Sequence, residues 1–334
     1  MKRAGNLIQQ IADLENLYLA FYKARKGKDQ RIEVIEYATH LDYNIKLLQN
    51  HILSGELNVG NYTYFTISDP KIRQICAASF PERVLHHAIM NICHEVFERH
   101  LIFDTYATRK EKGIYLALEK AKCSMKKYSY VAKLDVRKYF DNVNHQVLKE
   151  KLQHLFKDHH LLGFFEQIIE SYQTKEGGGI PIGNLTSQYF ANFYFSAADR
   201  FAKHELKIPV YLRYMDDILI FENDKVKLFD QVSQFCSFVG ETMQLQFKPL
   251  ILNRVDQGIS FLGYKLYPNI IILNSRSKNR FKEKFRDYAI KLEKDQWTQK
   301  DYHSHILPLL SFAKHAYTKK LRVNLLTKFE TSIK

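Results

Sequence analysis

Three carboxylates stand where the surrounding sequence is otherwise apolar. Asp135 closes the run Val131-Ala132-Lys133-Leu134, and Asp216-Asp217 separates Tyr211-Leu212-Arg213-Tyr214-Met215 from Ile218-Leu219-Ile220-Phe221. A carboxylate at the end of a buried strand is costly unless something compensates it. Mg²⁺ is the natural compensation, because it takes hard oxygen ligands from one or two carboxylates together with substrate phosphates. Two such ions can activate an attacking 3′-hydroxyl and stabilise a leaving pyrophosphate. Each aspartate alone would pass as a turn residue; it is their company that matters. Rival metal chemistry is weaker. His94-Glu95 lies near His86, His87 and His100, but position 98 is Glu where a zinc-protease helix needs His. Cys76, Cys93, Cys123 and Cys236 form no CxxC pair.

The elements that must position these groups can be read from periodicity. Leu14, Leu17, Tyr18 and Phe21, then Ile32, Ile35, Leu41, Ile45 and Leu48, predict helices over residues 1–55. Residues 62–76 alternate around Ser68-Asp69-Pro70-Lys71, a turn signal between two strands. Pro81 opens a helix to about His100. Residues 130–136 read as a buried strand, and Asn144 as the cap of a following helix. A flexible loop, Gly177-Gly178-Gly179-Ile180-Pro181-Ile182-Gly183, leads into a helix expected over about 185–205. Residues 210–221 give two strands meeting at Asp216-Asp217, and 259–273 a hairpin turning at Pro268-Asn269. From about Ser277 the chain reads as helix. Helices and strands alternate without a βα repeat, so the fold class is α+β.

At 334 residues with 46% apolar and 26% charged side chains, the chain can build a core and is not a disordered one. No apolar run suggests a membrane span, and Met1–Asn6 does not open a secretion signal. With scattered thiols, the expectation is a cytoplasmic protein. Charge is uneven: residues 274–334 carry 15 Lys/Arg against 6 Asp/Glu, which places +9 of the net +14 there. Such a surface attracts a polyanion. Of the aromatics interleaved with it, Phe281, Phe285 and Tyr288 have helical spacing and are expected to face the core.

Four segments occur in order. They are Lys133-Leu134-Asp135-Val136-Arg137-Lys138-Tyr139-Phe140-Asp141, then Gly179-Ile180-Pro181-Ile182-Gly183-Asn184-Leu185-Thr186-Ser187-Gln188, then Tyr214-Met215-Asp216-Asp217, then Phe261-Leu262-Gly263-Tyr264. Together they closely resemble the palm motifs of reverse transcriptases, with further matches from about Lys71 to Tyr267. The second segment narrows the resemblance. Group II intron enzymes read Gln-Gly-x-x-x-Ser-Pro there, with Ala in the second place of the tetrad. The Ile182-Gly183…Ser187-Gln188 pattern with Met215 resembles the enzymes of diversity-generating retroelements instead. The Val-Thr-Gly signature of retron enzymes is absent from the sequence. One departure is Arg109-Lys110-Glu111-Lys112-Gly113-Ile114-Tyr115, a loose match to the family's Arg-x-Gly-Lys-Gly-Thr-His stretch.

The resemblance implies an RNA-directed DNA polymerase with a right-hand fold of fingers, palm and helical thumb. It implies fingers over 1–133, with palm-packing helices, and 150–185; palm over 134–149 and 186–273, including the primer grip; and a basic thumb over 274–334. Asp135, Asp216, Asp217 and the Val136 carbonyl would hold two Mg²⁺ ions, with Mn²⁺ as a substitute. Lys71 and Arg73 would grip the incoming dNTP triphosphate. Phe140 would be the steric gate against a 2′-hydroxyl, and Gly183 would allow close approach to the nascent pair. Ile182 replaces a polar Gln, and its lost hydrogen bond would lower fidelity. Arg83, Ser187 and Gln188 would meet the template, Leu262-Gly263 would grip the primer, and Lys248 resembles a lysine that protonates pyrophosphate.

Members of that family copy a template-repeat RNA into cDNA with errors at template adenines, for mutagenic retrohoming into a variable-repeat gene. They work on a cDNA/RNA duplex with a small basic accessory variability protein, and are encoded by bacteria, archaea or phage. The alternatives left open are another prokaryotic reverse transcriptase, of group II, retron or phage-defence type, and a non-catalytic RNA-binding scaffold.

Overall fold

A computed structural model of the chain describes residues 2–68 and 72–330. In chain order the elements are α1 (Ile8–Ile11), α2 (Leu14–Arg25), α3 (Ile32–Thr39), α4 (Leu41–Ser54), β1 (Tyr62–Ile67), β2 (Arg73–Ala78), α5 (Phe80–His100) and α6 (Ile114–Met125). Then come β3 (Tyr130–Asp135), α7 (His145–Leu155), α8 (His159–Glu170), α9 (Leu185–Tyr194), α10 (Ser196–Arg200), β4 (Val210–Tyr214), β5 (Asp217–Glu222) and α11 (Lys225–Met243). The chain continues through β6 (Ile251–Arg254), β7 (Ile259–Phe261), β8 (Tyr264–Leu266), β9 (Ile271–Leu273), α12 (Ser275–Glu293), α13 (Gln299–Lys314) and α14 (Lys319–Glu330). This mixture of helix and sheet is the α+β class expected of a right-hand polymerase fold.

The chain divides into two compact units. The first comprises Met1–Thr108, Val136–Leu206 and Gln234–Lys248. Its heart is an aromatic cluster around Phe97 of α5, whose ring lies 5.6 Å from those of Phe156 and Phe193 and 6.4 Å from Phe165 and Phe190. Edge and tilted rings at these distances interlock the helices that carry them. On the edge of the unit, β1 and β2 form an antiparallel pair running from Tyr62↔Ala78 to Ile67↔Arg73. Asn144 caps α7 as its sequence position suggests, accepting a hydrogen bond from Val147 N–H at 3.0 Å.

The second unit comprises Arg109–Asp135, Lys207–Ser233 and Pro249–Lys334. It contains a four-stranded antiparallel sheet ordered β4-β5-β3-β6 and a three-stranded sheet ordered β7-β8-β9. β5 is buried from Ile218 through Glu222, and Val131, Ala132 and Leu134 of β3 are buried beside it. Phe281 and Phe285 of α12 are buried, as their spacing requires, and Tyr288 packs its ring 5.1 Å from Trp297.

Two expectations change in detail. The helix expected over 185–205 is broken into α9, α10 and a π-helical turn at Phe201–Glu205. The hairpin expected at 259–273 is a three-stranded meander whose first turn is Leu262-Gly263, because Phe261 pairs with Tyr264. The turn at 68–71 lies largely outside the described residues, Lys71 with it.

Candidate active site

The predicted site residues fall into two groups, one in each unit. In the second unit, β3 ends at Asp135 and β5 starts at Asp217, and the antiparallel register sets these two directly opposite each other. β4 and β5 are joined by only two residues, Met215 and Asp216, since Tyr214 pairs with Asp217. So short a link needs an unusual backbone, and Met215 adopts φ +57°. That left-handed conformation costs a residue with a side chain about 1–2 kcal/mol. The turn is braced from beneath: Arg213, fully buried, donates from Nη1 to the Met215 carbonyl at 3.0 Å. Thus the sheet carries Asp135 and Asp217 at strand ends, and a strained, braced turn carries Asp216.

The electrostatics follow from this crowding. Burial pushes the Asp217 carboxyl up to about 6, and the negative charges of Asp216 and Asp135 push the same way, while the Lys133 ammonium opposes them. Lys133 Nζ lies 3.0 Å from Asp217 Oδ1 and donates to the Ser260 carbonyl at 2.9 Å. Mutually repelling, partly buried carboxylates are the donor set a hard divalent cation suits. They are not a finished cage: among the described residues no three His, Cys, Asp or Glu side chains converge to hold a metal ion. Lys133 and Arg213 were not singled out by the sequence reading. The only sequence signal was a cation inside an apolar strand, for Lys133 on the same face as Asp135 two positions away.

The same unit holds the Leu262-Gly263 turn. Both residues have positive φ, +50° and +91°, the pattern of a two-residue hairpin turn matched to strand twist. A side chain at Gly263 would meet Ser277 Oγ at 3.1 Å and the Phe312 ring at 3.3 Å. Tyr264 adds a hydrogen bond from its hydroxyl to the Phe312 carbonyl at 2.8 Å.

The first unit gathers the second group. Phe140, half-buried, opens a 3₁₀ turn, and its carbonyl accepts from Ile180 N–H at 2.9 Å. Two residues on, the Ile182 carbonyl accepts from Cys76 N–H of β2 at 2.9 Å. Gly183 has φ +130°, and a Cβ there would sit 2.9 Å from the Cys76 carbonyl oxygen, so glycine is required by backbone approach. Asn184 Oδ1 accepts from Ala78 N–H at 3.3 Å. Phe140, Ile182, Gly183 and the strand that begins at Arg73 are therefore tied together by backbone hydrogen bonds. Val136 bridges to Phe247, and Lys248 beside it is half-buried.

Arg83 donates from Nε to the Ala78 carbonyl at 2.8 Å and lies 3.5 Å from Glu33. With Lys28, Arg31, Phe65, Ile75 and Asn184 it lines a cavity of about 240 Å³. Ser187 and Gln188 part company: Ser187 is buried on the α9 face that also carries Phe190, Ala191 and Tyr194, and Gln188 is exposed. A helical period puts positions 187, 190, 191 and 194 on one side, with Gln188 beside it. Of the histidines near Glu95, His94 Nδ1 pairs with the Tyr189 hydroxyl and His100 Nδ1 with the Val96 carbonyl.

A model of the family "Reverse transcriptase (RNA-dependent DNA polymerase)" matches residues 68–266. The COX1/OXI3 intron 2 protein of Saccharomyces cerevisiae is 18% identical over 330 residues, covering 77% of this chain and 38% of the yeast protein. Apo telomerase from Candida tropicalis shares the fold at a TM-score of 0.51 and 11% identity, over 80% of this chain and 59% of that one. Telomerase from Candida albicans, solved with a fragment of telomeric RNA, matches at a TM-score of 0.44 and 13% identity over 86% of this chain and 59% of its own. The chain thus spans well under two thirds of these relatives. No described helix is long and apolar enough to cross a membrane.

Proposed function

The chain belongs to the reverse transcriptase (RNA-dependent DNA polymerase) family, and from that premise we propose that it extends a primer 3′-hydroxyl with dNTPs on an RNA template. The observation that carries this is the pairing of Asp135 with Asp217 across β3 and β5, beside a two-residue turn bearing Asp216. Asp135, Asp216, Asp217 and the Val136 carbonyl would hold Mg²⁺, or Mn²⁺ in its place. When bound, the metal supplies neutralisation of charge on the transferring phosphoryl group.

The remaining work belongs to side chains and backbone. Arg73 and Lys71 bind triphosphate oxygens, where guanidinium geometry favours a bidentate grip. Phe140 excludes a ribose 2′-hydroxyl. Gly183 admits the nascent pair close to the backbone. The Leu262-Gly263 turn orients the primer end, and Lys248 donates a proton to the departing pyrophosphate. Arg83 and Gln188 position template, with Ser187 supporting Gln188 from the packed face of α9. The basic α12–α14 segment holds the duplex through its phosphates. In these terms, fingers span 1–133 and 150–185, palm 134–149 and 186–273, and thumb 274–334.

We further propose the diversifying role, in which a template-repeat RNA is copied with errors at adenines alongside a small basic accessory protein. Ile182 supports it: an aliphatic side chain offers no hydrogen bond that a correct pair could use and a wrong pair lose. The likeness to a yeast intron 2 protein favours a second reading, an intron-type enzyme. Sequencing cDNA made by the purified protein, with and without its neighbouring noncoding RNA and accessory protein, separates them. Errors concentrated at template adenines, and reduced by Ile182→Gln, support diversification. An even error spectrum overturns it in favour of the intron-type reading.

A further inference from the structure

Lys133 is an interior cation with two partners of different kinds. It lies on β3 two residues before Asp135, so both side chains leave the same face of the strand. Its ammonium is 3.0 Å from Asp217 Oδ1 on β5 and 2.9 Å from the Ser260 carbonyl on β7. The side chain is 15% exposed, which makes the contact sheltered rather than a surface pair. β3 and β7 belong to different sheets and share no strand pairing. Ser260 is one residue before Phe261, which closes the Leu262-Gly263 turn with Tyr264. One ammonium therefore ties a carboxylate of the site to the strand that carries the primer-grip turn.

Resting on the reverse transcriptase reading above, we infer that Lys133 is a positioning residue with two effects: it occupies Asp217 until a divalent cation displaces it, and it holds the Leu262-Gly263 turn in register with the carboxylates. One of the three neighbouring aspartates, Asp217, is thereby turned to a lysine. A lysine can yield to a metal without leaving its second partner, because an ammonium has three donors and a flexible stem. Entry of the metal and placement of the primer end are then coupled through one side chain.

Three substitutions separate the two effects. Lys133→Gln keeps a donor for the Ser260 carbonyl and removes the charge. Lys133→Met removes both, and Lys133→Arg keeps both. Mn²⁺ binding to the primer-free full chain is read by electron paramagnetic resonance of the free ion, which needs no catalysis. Removing a competing charge at this range should tighten Mn²⁺ binding roughly five- to tenfold in the Gln and Met variants, with Arg close to wild type. In steady-state primer extension, KM for a primer–template duplex should rise in the Met variant alone. A fold-stabilising lysine and nothing more would lower the thermal midpoint of Gln and Met without moving Mn²⁺ affinity, and that result overturns the inference. If Met fails to fold, Gln against Arg decides the metal effect. If wild type extends no primer on RNA, the polymerase reading fails, while the Mn²⁺ comparison still reports on Lys133.

Discussion

Replacing Gly183 with Ala tests whether the loop before α9 is held against β2 as tightly as its geometry requires. The added methyl would sit 2.9 Å from the Cys76 carbonyl oxygen and 3.0 Å from Ile75 Cγ2, at a backbone φ of +130°. A non-glycine residue in such a region costs about 1–3 kcal/mol. The neighbouring bond from Cys76 N–H to the Ile182 carbonyl, now 2.9 Å, must lengthen or break, for about 0.5–1.5 kcal/mol more. The sum is on the order of 2–4 kcal/mol, felt locally at β2, and it is enough to lower hydrogen-exchange protection roughly 30-fold or more. Exchange of the peptide containing Cys76 is the direct assay, because the single Trp297 lies in the other unit. Gly177→Ala is the control: its φ is +62°, but nothing lies within 4 Å of the new methyl. It should carry only the backbone strain and leave Cys76 protected. If Gly183→Ala is as mild as Gly177→Ala, the close approach of the loop to β2 is wrong, and with it the placement of Ile182.

Phe140→Ala should raise ribonucleotide incorporation by at least roughly tenfold, the effect of ~1.4 kcal/mol; extension assays with rNTPs check it, and unchanged sugar selection refutes the steric role. Arg213→Met should cost at least about 1.5–3 kcal/mol, the worth of a hydrogen bond to a charged group, read as a lower urea midpoint together with lost extension activity. Burial pushes the Glu82 carboxyl from an ordinary 4.5 up to about 7, against the pull of the Gly60 and Asn61 N–H groups. The folded chain then holds a proton that the unfolded chain has lost. The stability of wild type relative to Glu82→Gln is full below pH 4.5 and declines as pH rises to about 7, by at most about 3 kcal/mol. Denaturant midpoints of both proteins at pH 5 and pH 8 measure this, and a constant difference would refute it. His86, whose Nε2 lies 3.5 Å from Glu82 Oε1, is held down at about 3 by burial and titrates with the opposite sign, so the difference between the two proteins isolates Glu82 only with His86 unchanged.

The placement of the three aspartates at strand ends was legible because they interrupt apolar runs, a pattern that neither sheet period nor burial explains. Its supports were not. Lys133 finds its second partner 127 residues away at Ser260, and no local pattern announces so distant a contact. Arg213 reads as an ordinary polar position in a strand, yet it is fully buried under Met215. The first turn of the β7–β9 meander was legible only through its motif, because Leu262 holds a positive φ that sequence rules reserve for Gly or Asn, whereas Pro268-Asn269 advertised a turn by composition. The break after α9 carries no Gly or Pro, and its π-helical turn is set by packing such as the stacked rings of Phe201 and Phe238 at 4.0 Å. Conversely, α13 continues through Pro308, which local rules would have read as a stop.

The most direct test of the central claim is extension of a DNA primer on an RNA template by the purified chain with Mg²⁺, comparing wild type with Asp216→Ala and Asp135→Asn. The account expects template-dependent DNA synthesis by wild type and a loss of about two to three orders of magnitude in both variants, the scale on which charge stabilisation acts at such sites. Equal synthesis by wild type and the folded variants, or none by a folded wild type, would contradict it.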